Sequence, residues 1–197
     1  MLRCSNAKLL WGKYNVLKSF AWMWIVVAVS VLAACAEKFV LTGSPEVGGL
    51  LIVDAVVKTK SFMGQESAPP IVKVTVRKVI GDLLVEGEVL QDMFVFQGLK
   101  PGKYQLVSVS TKPGKKEVVL TVPTDDEEIF SFDVVAGTPL YIGQVKIQQD
   151  IRLKELGIRF SLTPAPKREI EAWKTLLEQS LRSQWKYVVE KHLASLS

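Results

Sequence analysis

Side chains able to do covalent or acid–base chemistry are sparse in this 197-residue chain. It has two cysteines, Cys4 and Cys35, and a single histidine, His192. Cys35 follows two small residues, Ala33 and Ala34, at the end of a long uncharged run. A thiolate is the most nucleophilic group a side chain offers, so this is the first candidate for modification chemistry. With one histidine, a histidine-based triad or histidine-rich metal site is hard to assemble, and His192 reads as a helix-end cation. Asp125-Asp126-Glu127-Glu128 offers oxygen ligands of the kind Ca²⁺ takes, but an isolated acidic run at a turn is read here as a solvated loop. Glu86 and Glu88 are two apart and would share one face of a strand, the sort of carboxylate pair that acid–base hydrolysis uses. Nothing in the sequence sets their separation. No glycine-rich phosphate loop follows a strand. We therefore expect no catalytic residue, no metal and no cofactor.

The elements that position Cys35 come next. Phe20–Ala34 carries no charge, and Arg3, Lys8, Lys13 and Lys18 precede it without an acidic residue. A basic stretch followed by an apolar one and a small-residue exit is the pattern of an export signal. The run of 15 residues is short for a bilayer span, which takes about 20. An uncleaved anchor and a plain secretory peptide are the competing readings. An N-terminal signal helix is expected over residues 1–34.

Leu32-Ala33-Ala34-Cys35 resembles the lipobox of bacterial lipoproteins: an apolar residue, two small residues, then cysteine. The resemblance implies diacylglyceryl transfer to Cys35, cleavage between Ala34 and Cys35, and acylation of the new amino group. Two or three chains hold durably, at about 0.8 kcal/mol per buried methylene. Ala36, in place of the aspartate that retains such proteins in an inner membrane, points to the periplasmic face of the outer membrane if the organism is Gram-negative. Cysteine counting agrees, because Cys4 leaves with the signal and the exported part then has no thiol for a disulfide or metal.

Charge must be read without the leader. The whole chain is +5, but the four basic residues of 1–34 account for most of that, leaving 21 basic and 20 acidic residues. Apart from Lys112, Lys115 and Lys116 around a Pro-Gly turn, the exported part has no dense basic run. Nucleic acid is not an expected partner.

From Gly48 to Thr163 the chain reads as strands: Gly49–Val57, Ile71–Ile80, Met93–Phe96, Tyr104–Ser110, Glu117–Val122, Ile129–Val135, Tyr141–Gln148 and Leu156–Leu162. Val72, Val74 and Val76 alternate with Lys73, Thr75 and Arg77, and Ile142, Val145 and Ile147 form another inner face. Gly81-Asp82, Lys100-Pro101-Gly102, Lys112-Pro113-Gly114 and Pro123–Asp126 supply the turns. Short strands at this spacing predict a mainly β protein, an antiparallel Greek-key sandwich. The irregular Thr59–Pro70 stretch, with Phe62 and Met63, reads as a solvated connection rather than a binding loop.

Asp92–Leu106 resembles the signature hairpin of the carboxypeptidase regulatory-like, or transthyretin-like, family. Phe94, Phe96, Gly98, Leu99, Pro101, Gly102, Tyr104 and Leu106 match its aromatic-ended strand, Gly-Leu-x-Pro-Gly-x-Tyr turn and second strand. Met93 replaces the glycine usual before the first aromatic. The likeness spans residues 48–135 and implies a transthyretin-like sandwich, with no activity attached. Carboxypeptidases that carry such a domain keep their zinc chemistry elsewhere.

After Pro164-Ala165-Pro166 a helical stretch is expected from Lys167 to Ala194. Ile170, Trp173, Leu177, Leu181, Trp185, Val188 and His192 form one apolar stripe, with a break into two helices at Ser180–Gln184. The first expectation is that the stripe packs on an open face of the sandwich. The sharper one is that Trp173 and Trp185 dock a partner, and a third is a membrane-surface helix. The organisation expected is a signal peptide (1–34), lipidated cysteine and tether (35–47), sandwich (48–163) and C-terminal amphipathic helix or helix pair (164–197). The expected role is a membrane-anchored, non-enzymatic interaction or structural module binding an envelope protein or glycan, of undetermined oligomeric state. A cell-envelope hydrolase with an unidentified carboxylate site is the alternative.

Overall fold

A computed structural model describes residues 39–61, 63–123, 126, 128–151, 156–179 and 183–196. The signal helix, the Ala34–Cys35 cleavage point and Ala36 lie outside the described residues, as do Phe62, Asp125, Glu127 and Leu181.

Two sheets and a helix pair make up the described chain. Its strands are β1 (Gly49–Lys60), β2 (Glu66–Ser67), β3 (Ile71–Lys78), β4 (Leu83–Glu86), β5 (Glu88–Leu90), β6 (Met93–Leu99), β7 (Gly102–Thr111), β8 (Val118–Thr121), β9 (Ser131–Val134), β10 (Pro139–Ile151) and β11 (Leu156–Thr163). The helices are α1 (Pro166–Gln179) and α2 (Trp185–Ser195). One sheet has the order β11-β10-β1-β6-β5, with β2 attached to β1. The other has the order β4-β3-β7-β8, with β9 also on β7. β8 pairs with Ser108–Thr111 and β9 with Gly102–Gln105, so they are successive halves of one edge, interrupted by the Val122–Phe130 excursion. The chain is mainly β, a sandwich with a C-terminal helical segment, and each of the eight runs expected from the sequence contains a strand.

The sandwich interior follows from period-2 alternation. Leu51, Val53, Ala55 and Val57 of β1 meet Val74, Val76, Leu106, Val109 and Leu120 of the facing sheet. Phe94, Phe96, Tyr104, Phe130 and Phe160 fill the rest. The turn tyrosine is fixed at its tip, where its hydroxyl donates to the Lys100 carbonyl at 3.0 Å.

β1 is apolar on both sides, and that has a consequence. Leu50 and Ile52 point away from the sandwich, yet both are fully buried, because α1 and α2 cover that face. A second core forms there from Leu41, Leu50, Ile52, Leu90, Met93 and Val95 of the sheet side and Ala172, Trp173, Leu176, Trp185 and Val189 of the helices. Continuous apolar runs of this type belong to strands covered on both faces.

Four expectations need revision. β1 and β10 pair in parallel, with Leu50 opposite Pro139 and Lys60 opposite Asp150, whereas the other ladders are antiparallel. Glu86 and Glu88 do not share a strand face: Glu86 ends β4 in one sheet and Glu88 begins β5 in the other. The chain changes sheets at Gly87, where a Cβ would lie 2.7 Å from the Phe96 ring. Glu86 instead pairs with Lys73 at 3.0 Å, and Glu88 accepts from Gln97 at 2.9 Å. Chain packing also begins earlier than residue 48, since Leu41 is buried and the Thr42 amide donates to Gln97. Finally, Trp173 and Trp185 are 0 % exposed. They are core residues, so the expectation that they dock a partner is corrected in favour of packing on the sheet.

Candidate functional site

A cleft of about 440 Å³ opens where the start of α1 meets the β5–β6 turn, lined by Asp54, Gln91, Asp92, Met93, Arg168, Glu171, Ala172 and Thr175. Three local features build it. Asp54 continues the outward face of Leu50 and Ile52 along β1, so alternation delivers a carboxylate into the apolar layer under the helices. It is 2 % exposed. Between Ile52 and Asp54 the register with β10 slips, so that Tyr141 faces Ile52 and Gln144 faces Asp54. The extra residue includes Gly143, with φ +100° and a position where a Cβ would sit 2.7 Å from the Thr163 carbonyl oxygen. This bulge turns Gln144 toward the helix side, as bulges commonly re-aim side chains. The two-residue turn Gln91-Asp92, with Gln91 at φ 56°, brings Asp92 to the rim.

Arg168, in the first turn of α1, joins these parts. Its Nε donates to Asp54 Oδ2 at 3.1 Å and its guanidinium also meets Asp92 and Glu171. Gln144 donates to the same Asp54 oxygen at 3.1 Å. Hydrogen bonds to Asp92 and Asp54 push the guanidinium even further from losing its proton. Asp54 Oδ1 and the Tyr141 hydroxyl are buried atoms without a hydrogen-bond partner among the described residues. One cation facing three carboxylates clamps α1 to the sheet. The free Oδ1 is the part of the arrangement that the clamp does not use.

Burial, and then the negative charge of Asp54, push the Tyr141 hydroxyl well above its ordinary value of 10.0. The folded chain thus holds this phenol proton more tightly than the unfolded chain. The associated stabilisation is complete below pH 10 and is lost as pH rises above it. Burial pushes Tyr104 in the same direction. Tyr141→Phe removes an unpartnered buried hydroxyl, so urea unfolding at neutral pH should stay within about 1 kcal/mol of the parent. Its stability should then fall less steeply than the parent's from about pH 9 to 11. Parallel curves for the two proteins would place the Tyr141 hydroxyl in water.

A second polar contact joins the helices. His192, near the end of α2, places Nε2 3.5 Å from Glu169 Oε1, and its ring meets Trp173 edge-on at 5.5 Å. Both contacts join α2 to α1. Among the described residues, no group of three or more His, Cys, Asp or Glu is placed to hold a metal ion, and no helix is long and apolar enough to cross a membrane.

The sequence reading missed Asp54, Gln144 and Arg168. The available signal was an aspartate inside GLLIVDAVV, a run otherwise apolar on both faces, since such a residue needs a partner. The broken spacing from Ile142 to Val145 was the trace of the bulge.

No family model matches the chain, and no curated protein matches it. Among solved structures, it is similar to part of a leucine-rich repeat protein from Bacteroides thetaiotaomicron, at 18 % identity and a TM-score of 0.27. The match covers 67 % of this chain and 16 % of that one. The chain thus spans about a sixth of that protein's length.

Proposed function

We propose that this is a lipid-anchored cell-envelope protein whose sandwich serves as a non-enzymatic interaction or structural module toward a protein or glycan. The observation that supports this is Leu32-Ala33-Ala34-Cys35 at the end of an uncharged run, followed closely by the packed chain at Leu41. Lipid on Cys35 holds the domain at a membrane surface, on the periplasmic side of an outer membrane if Ala36 is read by Gram-negative sorting. Clamping of α1 by Arg168 accounts for the carboxylates of the cleft without assigning them chemistry.

The test is the intact mass of the protein extracted from membranes of cells expressing the full chain. A mass corresponding to residues 35–197 plus a diacylglyceryl group and an acyl chain is expected. An uncut Met1 or an unmodified Cys35 overturns the anchor. A second reading, a hydrolase acting on envelope material, draws on Asp54, which lines the cleft and whose buried Oδ1 has no hydrogen-bond partner among the described residues. It requires turnover of envelope glycan or peptide that disappears in Asp92→Asn and Glu171→Gln, two exposed positions where these changes leave the fold intact.

A further inference from the structure

The end of the sandwich beside Phe39–Gly43, where the described chain begins, has an unusual surface. Phe39–Gly43 runs beside the end of β6: Gln97 donates to the Val40 carbonyl and accepts from the Thr42 amide, and a Cβ on Gly43 would lie 3.7 Å from Gly98. The β3–β4 hairpin tip is at the same end. Lys78 is opposite both Leu83 and Tyr104, and the Val79 amide donates to the Lys103 carbonyl at 2.9 Å. Gly102 faces Val134, and the Gly137 amide donates to the Gly48 carbonyl, bringing the 45–49 segment and Val135 alongside. On this one end Ile80 is 82 % exposed, and Val40, Val47, Val79, Leu83 and Val135 are also large apolar side chains open to solvent. At the opposite end the β7–β8 turn is Lys112-Pro113-Gly114-Lys115-Lys116.

Chain length decides what this surface meets. Four residue steps separate Cys35 from Phe39, which at full extension span about 14 Å. A glyceryl-linked lipid on Cys35 keeps that atom at the headgroup level, so this end of the domain cannot move far from the bilayer. Exposed apolar side chains gathered at one end and held at that distance bury themselves in the interface. We infer that the face formed by Val40, Val47, Val79, Ile80, Leu83 and Val135 docks on the bilayer that holds Cys35, with the β3–β4 tip entering the headgroup layer. The inference rests on the anchor reading above. It sets the domain upright, with the cleft and helices on the flank and the Lys112–Lys116 turn directed away from the membrane. Arg77, Lys78, Lys100 and Lys103 are offset at this end by Glu46, Asp82 and Asp133, so docking is apolar rather than electrostatic.

The exported part has no thiol besides the lipid-blocked Cys35, which allows site-specific labelling. The full chain is expressed with Ile80→Cys or Lys115→Cys, extracted in lipidated form, labelled with an environment-sensitive fluorophore and reconstituted into phosphatidylcholine vesicles with and without phosphatidylglycerol. The label at 80 should shift to the blue and be quenched by nitroxide-bearing lipids at least several-fold more than the label at 115, equally in both vesicle types. Equal quenching at the two positions in a chain whose mass confirms lipid on Cys35 overturns the docking inference and leaves the anchor standing. Quenching at 80 that appears only with phosphatidylglycerol overturns its apolar basis. A chain without lipid on Cys35 overturns the anchor, and the docking inference with it.

Discussion

Trp173→Ala should destabilise the protein by about 3–5 kcal/mol, the range for removing a fully buried tryptophan. Trp173 is 0 % exposed and sits in a core of eleven buried residues that joins the helices to the sheet. Its indole N–H approaches Glu169 at 3.5 Å and its ring takes the edge of His192, so the cavity would fall between α1, α2 and β1 together. Neighbours on a sheet cannot collapse into such a gap without breaking the ladder, so relaxation recovers little. Trp185→Ala should behave similarly, being equally buried. A domain of this size has about 5–15 kcal/mol in all, so either variant loses a large fraction. The measurement is urea unfolding followed by far-UV circular dichroism, with Tyr187→Ala beside it. Tyr187 lies on α2 and is 73 % exposed, and its loss should cost no more than about 0.5 kcal/mol. Equal midpoints for Trp173→Ala and the parent would mean that the helices stand away from the sheet, which would restore partner docking through the tryptophans.

How much of this was legible depends on the signal each element carries. Alternation of Val72, Val74 and Val76 with Lys73, Thr75 and Arg77 marked a strand, but Val72 is exposed and Thr75 buried because the register with β7 shifts on either side of them; the Pro-Gly turns placed its successors. The Pro-rich break and the three-to-four spacing of Ile170, Trp173 and Leu177 specified a helix with one apolar side. Short strands escaped: β4 and β5 carry Leu83, Leu84 and Val89 on exposed faces, so no period separated them from loop. Glu86 and Glu88 were misplaced because two-residue spacing implies one face only while the chain stays in one sheet, and Gly87 lets it leave. Parallel pairing of β1 and β10 is a contact across about ninety positions of sequence, which local pattern does not encode. The cleft was hidden for a similar reason. Asp54, Gln144 and Arg168 come from three separate elements, and only the bulge at Gly143 turns Gln144 toward the other two.

Arg168→Ala should cost about 2–3 kcal/mol, although the arginine is 41 % exposed, because the loss falls on its partner. Asp54 would remain almost fully buried with Gln144 as its one side-chain donor among the described residues, and a buried carboxylate stripped of its cation is strongly penalised. The contacts of Arg168 with Asp92 and Glu171 involve well-exposed carboxylates, so Asp92→Asn and Glu171→Gln should each cost about 1 kcal/mol or less. The decisive protein is the double variant Asp54→Leu with Arg168→Met. It continues the outward row of Leu50 and Ile52 under the helices, and such replacements of buried pairs are often neutral or stabilising. In a double-mutant cycle the recovery appears as a coupling of about 1–3 kcal/mol. Recovery to the parent's stability identifies the pair as a clamp that positions α1, for which an apolar contact substitutes. A double variant more stable than the parent leads to the same conclusion, because an apolar contact then replaces the pair without its desolvation cost. Failure to recover would show that Asp54 and Arg168 act independently, contrary to the geometry that joins them at 3.1 Å.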